Sequence, residues 1–266
     1  MTPPKALTIA GSDSGGGAGI QADLKTFMAR GVYGMSVLTA VTAQNTLGVQ
    51  AVVELAPDFV GQEFDSVLSD IQTHAAKTGM LASIPLVDIV SRKVEEYAVR
   101  QLVVDPVMVA KGGQALLREE AQQALTEKLL PLALIVTPNL FEAGLLAEMD
   151  VHDRPSMEEA ARRIKALGPA YVVIKGGHLE EEACDLLFDG TVFRAYSCRK
   201  IETVCTHGAG CTFSAAITAE LAKGAAVEDA VAQAKDFVTR AITAGFRIGQ
   251  GHAPLNHQVD LIDLAQ

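Results

Sequence analysis

The stretch Ala6-Leu-Thr-Ile-Ala-Gly-Ser-Asp-Ser-Gly-Gly-Gly-Ala-Gly-Ile-Gln-Ala-Asp23 decides the fold. An apolar run of strand length, Ala6–Ala10, ends in a glycine-rich turn from Gly11 to Gly19. An amphipathic stretch of helix length follows over Ala18–Arg30. The same alternation continues along the chain. Strands are expected at Ser36–Thr42, Ala51–Leu55, Ala75–Thr78, Leu102–Val104, Leu134–Thr137 and Tyr171–Lys175. Helices are expected at Pro57–Gln72, Ile84–Tyr97, Glu119–Leu129, Leu140–Ala147, Ser156–Leu167, Gly210–Lys223 and Val227–Phe246. Alternation of this kind implies a mostly parallel sheet covered by helices on both faces, an α/β three-layer sandwich. Ala183–Phe188 and Thr191–Tyr196 flank Asp189-Gly190 and read as a β-hairpin with a two-residue turn. No internal repeat or linker-like tract interrupts the chain, so one domain over residues 1–266 is expected.

Composition narrows the function. Hydrophobic residues make up 49% of the 266, aromatic residues 5%, and Trp is absent, so the core must be aliphatic. A net charge of −10 argues against nucleic acid or an anionic membrane as partner. No apolar run reaches the roughly 18 residues of a membrane span. The charged, glycine-rich segment begins by residue 11, which leaves no room for a signal peptide, so a cytoplasmic location is expected. Cys184, Cys198, Cys205 and Cys211 show no Cys-x-x-Cys spacing, so neither a zinc site nor a thioredoxin-type site is indicated.

In open α/β sheets ligands bind beyond the carboxyl ends of the strands, and the polar residues of interest follow strands here. Gly17-Ala-Gly-Ile-Gln-Ala22 fits a dinucleotide fingerprint, but the second strand ends in Gln44-Asn45 rather than in an acidic residue. A glycine turn that only packs its helix is an equal alternative. No phosphate-binding G-x-x-x-x-G-K-[ST] loop occurs. The amide of Gln44 offers a donor and an acceptor side by side, which suits an aminopyrimidine edge; it equally suits the backbone of its own loop. Asp105 closes one strand, and Asn139 and Glu142 follow another. Acidic groups after two strands can hold Mg²⁺ through waters, or can be helix caps. Lys175, ahead of Gly176-Gly177, can reach a phosphate or simply be solvated.

In Thr206-His-Gly-Ala-Gly-Cys-Thr212, small residues lead into an Ala-rich helix. The first N–H groups of such a helix are unpaired and its dipole favours an anion. Cys211 lies at that helix start, where a thiol pKa is expected to fall, fitting it as base or nucleophile; a small buried apolar residue is the alternative. His207 could orient this loop or contact a ligand, and a bystander role is the favoured reading.

Together these segments resemble the hydroxymethylpyrimidine/phosphomethylpyrimidine kinases of the ribokinase-like superfamily. The matching motifs are Ala6 to Asp23, Ala40-Val-Thr-Ala-Gln-Asn45, Lys77-Thr-Gly-Met80, Val104-Asp-Pro-Val-Met108, Thr137-Pro-Asn-Leu-Phe-Glu142, Lys175-Gly-Gly177 and Thr206 to Thr212, in family order. The resemblance implies a ribokinase-like sandwich with a small β flap, usually in a homodimer. It implies MgATP-dependent phosphorylation of 4-amino-5-hydroxymethyl-2-methylpyrimidine and then of its monophosphate, for thiamine biosynthesis. Gln44 would read the pyrimidine, with Gly11, Asp23, Met80 and Val107 lining its pocket. Asp105 and Glu142 would organise Mg²⁺, and Asn139, Lys175, Thr206 and Gly208 would bind ATP. Gly208, Ala209 and Gly210 would form an anion hole, with Lys175 on the phosphates and Cys211 as catalytic base. Some members also phosphorylate pyridoxal, and those with the clearest pyridoxal role carry a second Cys where this chain has Ala110. A non-catalytic pyrimidine sensor is a further alternative, which the set Asp105, Glu142, Lys175 and Cys211 disfavours.

Overall fold

Alternate residues of the central strands face opposite helical layers, as a two-residue period dictates. The computed structural model describes residues 2–108, 119–177 and 182–262. Leu7 and Ile9 of β1 (Lys5–Ala10), Leu102 and Val104 of β6 (Leu102–Val104), and Val172 and Ile174 of β8 (Tyr171–Ile174) enter one core. That core is closed by α2 (Pro57–Leu68), α3 (Ile84–Glu96), α4 (Glu119–Ala124), α5 (Leu140–Ala147) and α6 (Arg154–Ala166). Ala6, Val103 and Val173 point the other way, toward α1 (Gly19–Ala29), α7 (Ala209–Ala222) and α8 (Val227–Thr243).

The strands form an eight-stranded sheet in the order β10-β9-β8-β7-β6-β5-β1-β2, where β2 is Tyr33–Leu38, β5 Ala75–Thr78 and β7 Ile135–Val136. All pairs from β2 to β8 are parallel, while β9 (Glu182–Phe188) and β10 (Phe193–Arg199) add an antiparallel edge. The expected three-layer sandwich is therefore present. Gly11, Gly79, Asp105, Thr137 and Lys175 each follow a parallel strand and gather at one edge of the sheet.

Four local expectations are corrected. The strand expected over Ser36–Thr42 divides at Thr39. Its N–H bonds the Ala10 carbonyl at 3.1 Å and its hydroxyl bonds the Met80 carbonyl at 2.8 Å, which ties the chain down as it leaves the sheet. Beyond it β3 (Ala40–Asn45) pairs antiparallel with β4 (Gly48–Glu54) as a separate two-stranded flap. The strand expected over Ala51–Leu55 is part of that flap and not of the central sheet. The hairpin loop has four residues rather than two, because Phe188 pairs with Phe193 and the rings stack at 4.2 Å. The Asp189 carboxylate accepts the N–H groups of Thr191 and Val192, and Gly190 takes φ +101°. The helix expected to Leu129 is α-helical only to Ala124 and continues as a π turn, Leu125–Leu129. Ala110 lies outside the described residues.

Candidate active site

A cavity of about 740 Å³ runs along the carboxyl edge of the sheet, from the flap to the end of α8. At its centre Lys175, just past β8, places its amine 2.8 Å from Asp105 Oδ1 and 3.9 Å from Glu142 Oε2. Asp105 is held from the sheet and from α7: Thr137 Oγ1 donates to Oδ1 at 3.3 Å and Ser214 Oγ to Oδ2 at 3.2 Å. Burial opposes the Asp105 charge, but Lys175 and Lys77 outweigh it and hold the carboxyl below its ordinary range. Asn139 caps α5 in a reciprocal box with Glu142, each backbone N–H bonding the other's side chain at 2.8–2.9 Å. Burial lifts the Glu142 carboxyl to about 7; Lys175 offsets this and the Asp105 charge adds to it.

The anion-hole segment meets this cluster. Gly208 caps α7 with φ +81°, a conformation that favours glycine. A Cβ there would lie 1.9 Å from the Gly17 carbonyl oxygen, so the two glycine loops dock backbone to backbone. A Cβ on Gly210 would meet the Lys175 amine at 3.2 Å. The first turn of α7 lacks intrahelical partners for its N–H groups, though that of Ala209 turns back to the Thr206 carbonyl at 3.3 Å. Gly208, Ala209, Gly210 and Cys211 line the cavity beside that amine, with Thr206 nearby.

Cys211 departs from expectation. Its sulfur receives the N–H of Gly19, so the starts of α1 and α7 converge on it. Yet the thiol is pushed up to about 11: burial dominates, Lys77 offsets part of it, and the Asp23 and Asp105 carboxylates add to it. The expected lowering by the helix start is overturned in the free protein.

At the flap end Gly11, Met80, Gln44 and Val107 line the cavity together. A Cβ on Gly11 would come 2.7 Å from the Met80 methyl, so Gly11 keeps this wall open. The Gln44 backbone is fixed by Ser14, whose hydroxyl donates to its carbonyl at 2.7 Å and accepts its N–H at 2.8 Å. Its side chain remains on the cavity wall, with Oε1 accepting from Thr42 Oγ1 at 3.3 Å. Asp23 is corrected: it is fully buried on the inner face of α1 and does not line the cavity. It bonds Lys77 at 2.9 Å and Thr8 at 2.6 Å, because a carboxylate so placed must be paired.

Four residues without an assigned role emerge. Lys77, the charge inside the short strand Ala75–Thr78, reaches the cavity floor from below. Asp13 and His207 bond each other at 3.0 Å across the two glycine loops. Asp185 accepts the Gly176 N–H at 3.0 Å and is braced by Lys235 at 2.9 Å. For Lys77 the signal was a charged residue in an apolar strand; for Asp13 it was an acid embedded in glycines. His207 stood out only as the neighbour of the Gly208–Gly210 segment, and Asp185 gave no signal.

Among the described residues no group of three His, Cys, Asp or Glu side chains forms a metal cage. Asp105 and Glu142 offer hard carboxylate oxygens at one place, which fits Mg²⁺, an ion held by one or two carboxylates together with substrate phosphates.

The family model for phosphomethylpyrimidine kinase matches residues 13–256. The chain belongs to that family. This kinase is 48% identical over 259 residues to the hydroxymethylpyrimidine/phosphomethylpyrimidine kinase of Bacillus subtilis, covering 97% of this chain and 96% of that one. It is 47% identical over 262 residues to the pyridoxine kinase of the same organism, covering 97% of each. The crystal structure of Bacillus subtilis pyridoxal kinase in complex with ADP superimposes with a TM-score of 0.91 at 46% identity, over 97% of this chain and 98% of that one.

Proposed function

We propose that this kinase, as one domain over residues 1–266, transfers the γ-phosphoryl group of ATP to 4-amino-5-hydroxymethyl-2-methylpyrimidine and then phosphorylates the monophosphate, for thiamine biosynthesis. One observation carries the reading: a single cavity joins an amide-bearing, largely apolar end at Gln44, Gly11, Met80 and Val107 to a charged end at Asp105, Glu142, Lys175 and Gly208–Gly210. An aminopyrimidine fits the first and a polyphosphate the second.

In the first transfer the acceptor hydroxyl oxygen bonds to the γ-phosphorus as the bond to the β–γ bridging oxygen breaks, and ADP leaves. The N–H groups of Gly208–Gly210 and the Lys175 ammonium stabilise the charge that spreads over the transferred group. Burial opposes the Lys175 ammonium, but Asp105 and Glu142 hold its amine above the ordinary range, so the cation is permanent. Asp105, Glu142 and Asn139 would hold Mg²⁺ and phosphates; the ion neutralises phosphate charge when bound. Cys211 as thiolate takes the hydroxyl proton. Little thiolate exists in the free protein, and a loose transition state asks for a base only as the new O–P bond completes. The second acceptor is an ionised phosphate and needs no base.

The relatedness to a pyridoxine kinase supports pyridoxal as a side substrate, while the Gln44 amide favours the aminopyrimidine. A homodimer is part of the reading, supported by the exposed apolar residues Leu47 and Val53 on the flap. A cytoplasmic location is part of it as well; among the described residues no helix is long and apolar enough to cross a membrane. The test is a MgATP-dependent assay on the hydroxymethylpyrimidine, its phosphate and pyridoxal in parallel. We expect kcat/KM for both pyrimidines to exceed that for pyridoxal. The reverse order overturns the substrate assignment, and binding without turnover of any acceptor restores the sensor.

A further inference from the structure

The two glycine loops that frame the transfer site are joined by one charged contact. Asp13, inside the first loop, is almost wholly buried. Its Oδ1 accepts the N–H of Gly15 at 2.8 Å, and its Oδ2 accepts those of Gly17 at 3.0 Å and Ala18 at 2.8 Å. The same Oδ2 lies 3.0 Å from Nε2 of His207, the residue before the anion hole. A carboxylate only accepts, so Nε2 carries the proton and donates. Burial opposes the Asp13 charge, but His207 and these backbone donors overcome it and keep the carboxyl ionised.

Position makes this contact more than packing. Gly208 has no side chain with which to fix its own orientation. The loop ahead of it is held by His207 twice: the backbone N–H bonds the Ala253 carbonyl at 3.0 Å, and the ring bonds Asp13. The first loop carries the acceptor side of the cavity, since Ser14 pins Gln44 and Ser12 bonds Thr42 through its hydroxyl and its carbonyl. The Asp13–His207 bond therefore spans from the loop that bears the acceptor to the loop that bears the phosphoryl donors.

We propose that His207 is a positioning residue that sets the anion hole of Gly208–Gly210 against the acceptor-bearing loop through its bond to Asp13. The assignment rests on the phosphoryl-transfer reading of that loop. A displacement of about 1 Å at such a site costs about 10²-fold in rate, and oxyanion-type donors act mainly in the transition state. Loss of the bond thus lowers kcat more than it raises KM.

The test compares His207→Ala, His207→Phe and His207→Gln in full-length protein, with both transfers assayed on separated acceptors. Calorimetry follows the binding of ADP and of ADP–aluminium fluoride. Phe keeps the ring volume without the N–H, and Gln restores an N–H donor without the ring. We expect Ala and Phe to lower kcat about 10²-fold in both transfers. They should weaken ADP–aluminium fluoride by the same factor while leaving ADP binding and the acceptor KM nearly unchanged, and Gln should recover most of the loss. The Phe–Gln pair decides the matter even where Ala does not fold. Wild-type kcat in His207→Phe overturns the assignment. So does a loss confined to the acceptor KM, which would make the ring a ligand contact, and so does a Gln variant no better than Phe. An active wild type matched by His207→Phe overturns this assignment alone; a wild type that phosphorylates no acceptor overturns the functional reading with it.

Discussion

Lys77 and Lys175 both stand at the carboxyl edge of the sheet, and each amine lies within hydrogen-bonding distance of a buried carboxylate. Lys77 meets Asp23 at 2.9 Å and Lys175 meets Asp105 at 2.8 Å. Depth separates them. Neither side chain of the first pair has any accessible surface, whereas Lys175 keeps 15%. Burial opposes the Lys77 ammonium, but the Asp23 and Asp105 carboxylates outweigh it, so the proton stays on the amine. Its charge is spent on Asp23 inside the protein. Lys175 shares its charge with Asp105 and, at longer range, with Glu142, and it still faces the cavity. Two lysines with nearly the same pairing distance thus serve different ends: one completes the core beneath the site, the other is left for the ligand.

Substitution should pull the two apart. Lys77→Met leaves the Asp23 carboxylate buried and unpaired, and we expect a loss of about 3–5 kcal/mol in urea unfolding. Replacing both members, Lys77→Met with Asp23→Leu, should recover most of that stability, since no charge then remains buried alone. A double variant as unstable as the single one would give Lys77 a role beyond pairing. Lys175→Met should invert the pattern, with kcat down about 10²-fold and a smaller loss of stability, because Thr137 and Ser214 still donate to Asp105. Equal stability losses at the two positions would erase the distinction.

The smallest effect concerns the thiol near both lysines. With the Cys211 thiol at about 11 in the free protein, its alkylation by iodoacetamide should still be rising at about pH 10. Peptide mass spectrometry resolves it from the other cysteines. The folded value lies above the ordinary thiol value, so the unfolded chain ionises first. This group's contribution to stability is intact below the ordinary value and fades as pH climbs toward about 11. A rate that levels near neutrality would show that the helix starts outweigh burial after all.

The layers were legible because the chemistry that makes them is local: Leu102–Val104 is a short apolar run and forms the expected strand. The strands that build the expected flap were not, because Thr39 redirects the chain through bonds to Ala10 and Met80, residues remote in sequence. Asp105, Asn139, Glu142 and Lys175 could be placed since strand ends converge in a parallel sheet. Asp23 could not, because its partner Lys77 comes 54 positions later, on another element of the fold. His207 was read as a bystander for the same reason: Asp13, its partner, is 194 positions away. The thiol of Cys211 was read from its helix start alone, while the carboxylates and the burial that raise it come from other elements.

The claim that one cavity performs both transfers, with a base needed only for the first, is tested most directly by Cys211→Ala assayed on the hydroxymethylpyrimidine and on its monophosphate separately. We expect kcat to fall about 10²-fold in the first transfer, the usual contribution of a positioned base, and to change little in the second. Equal losses in both transfers, or none in the first, would contradict it.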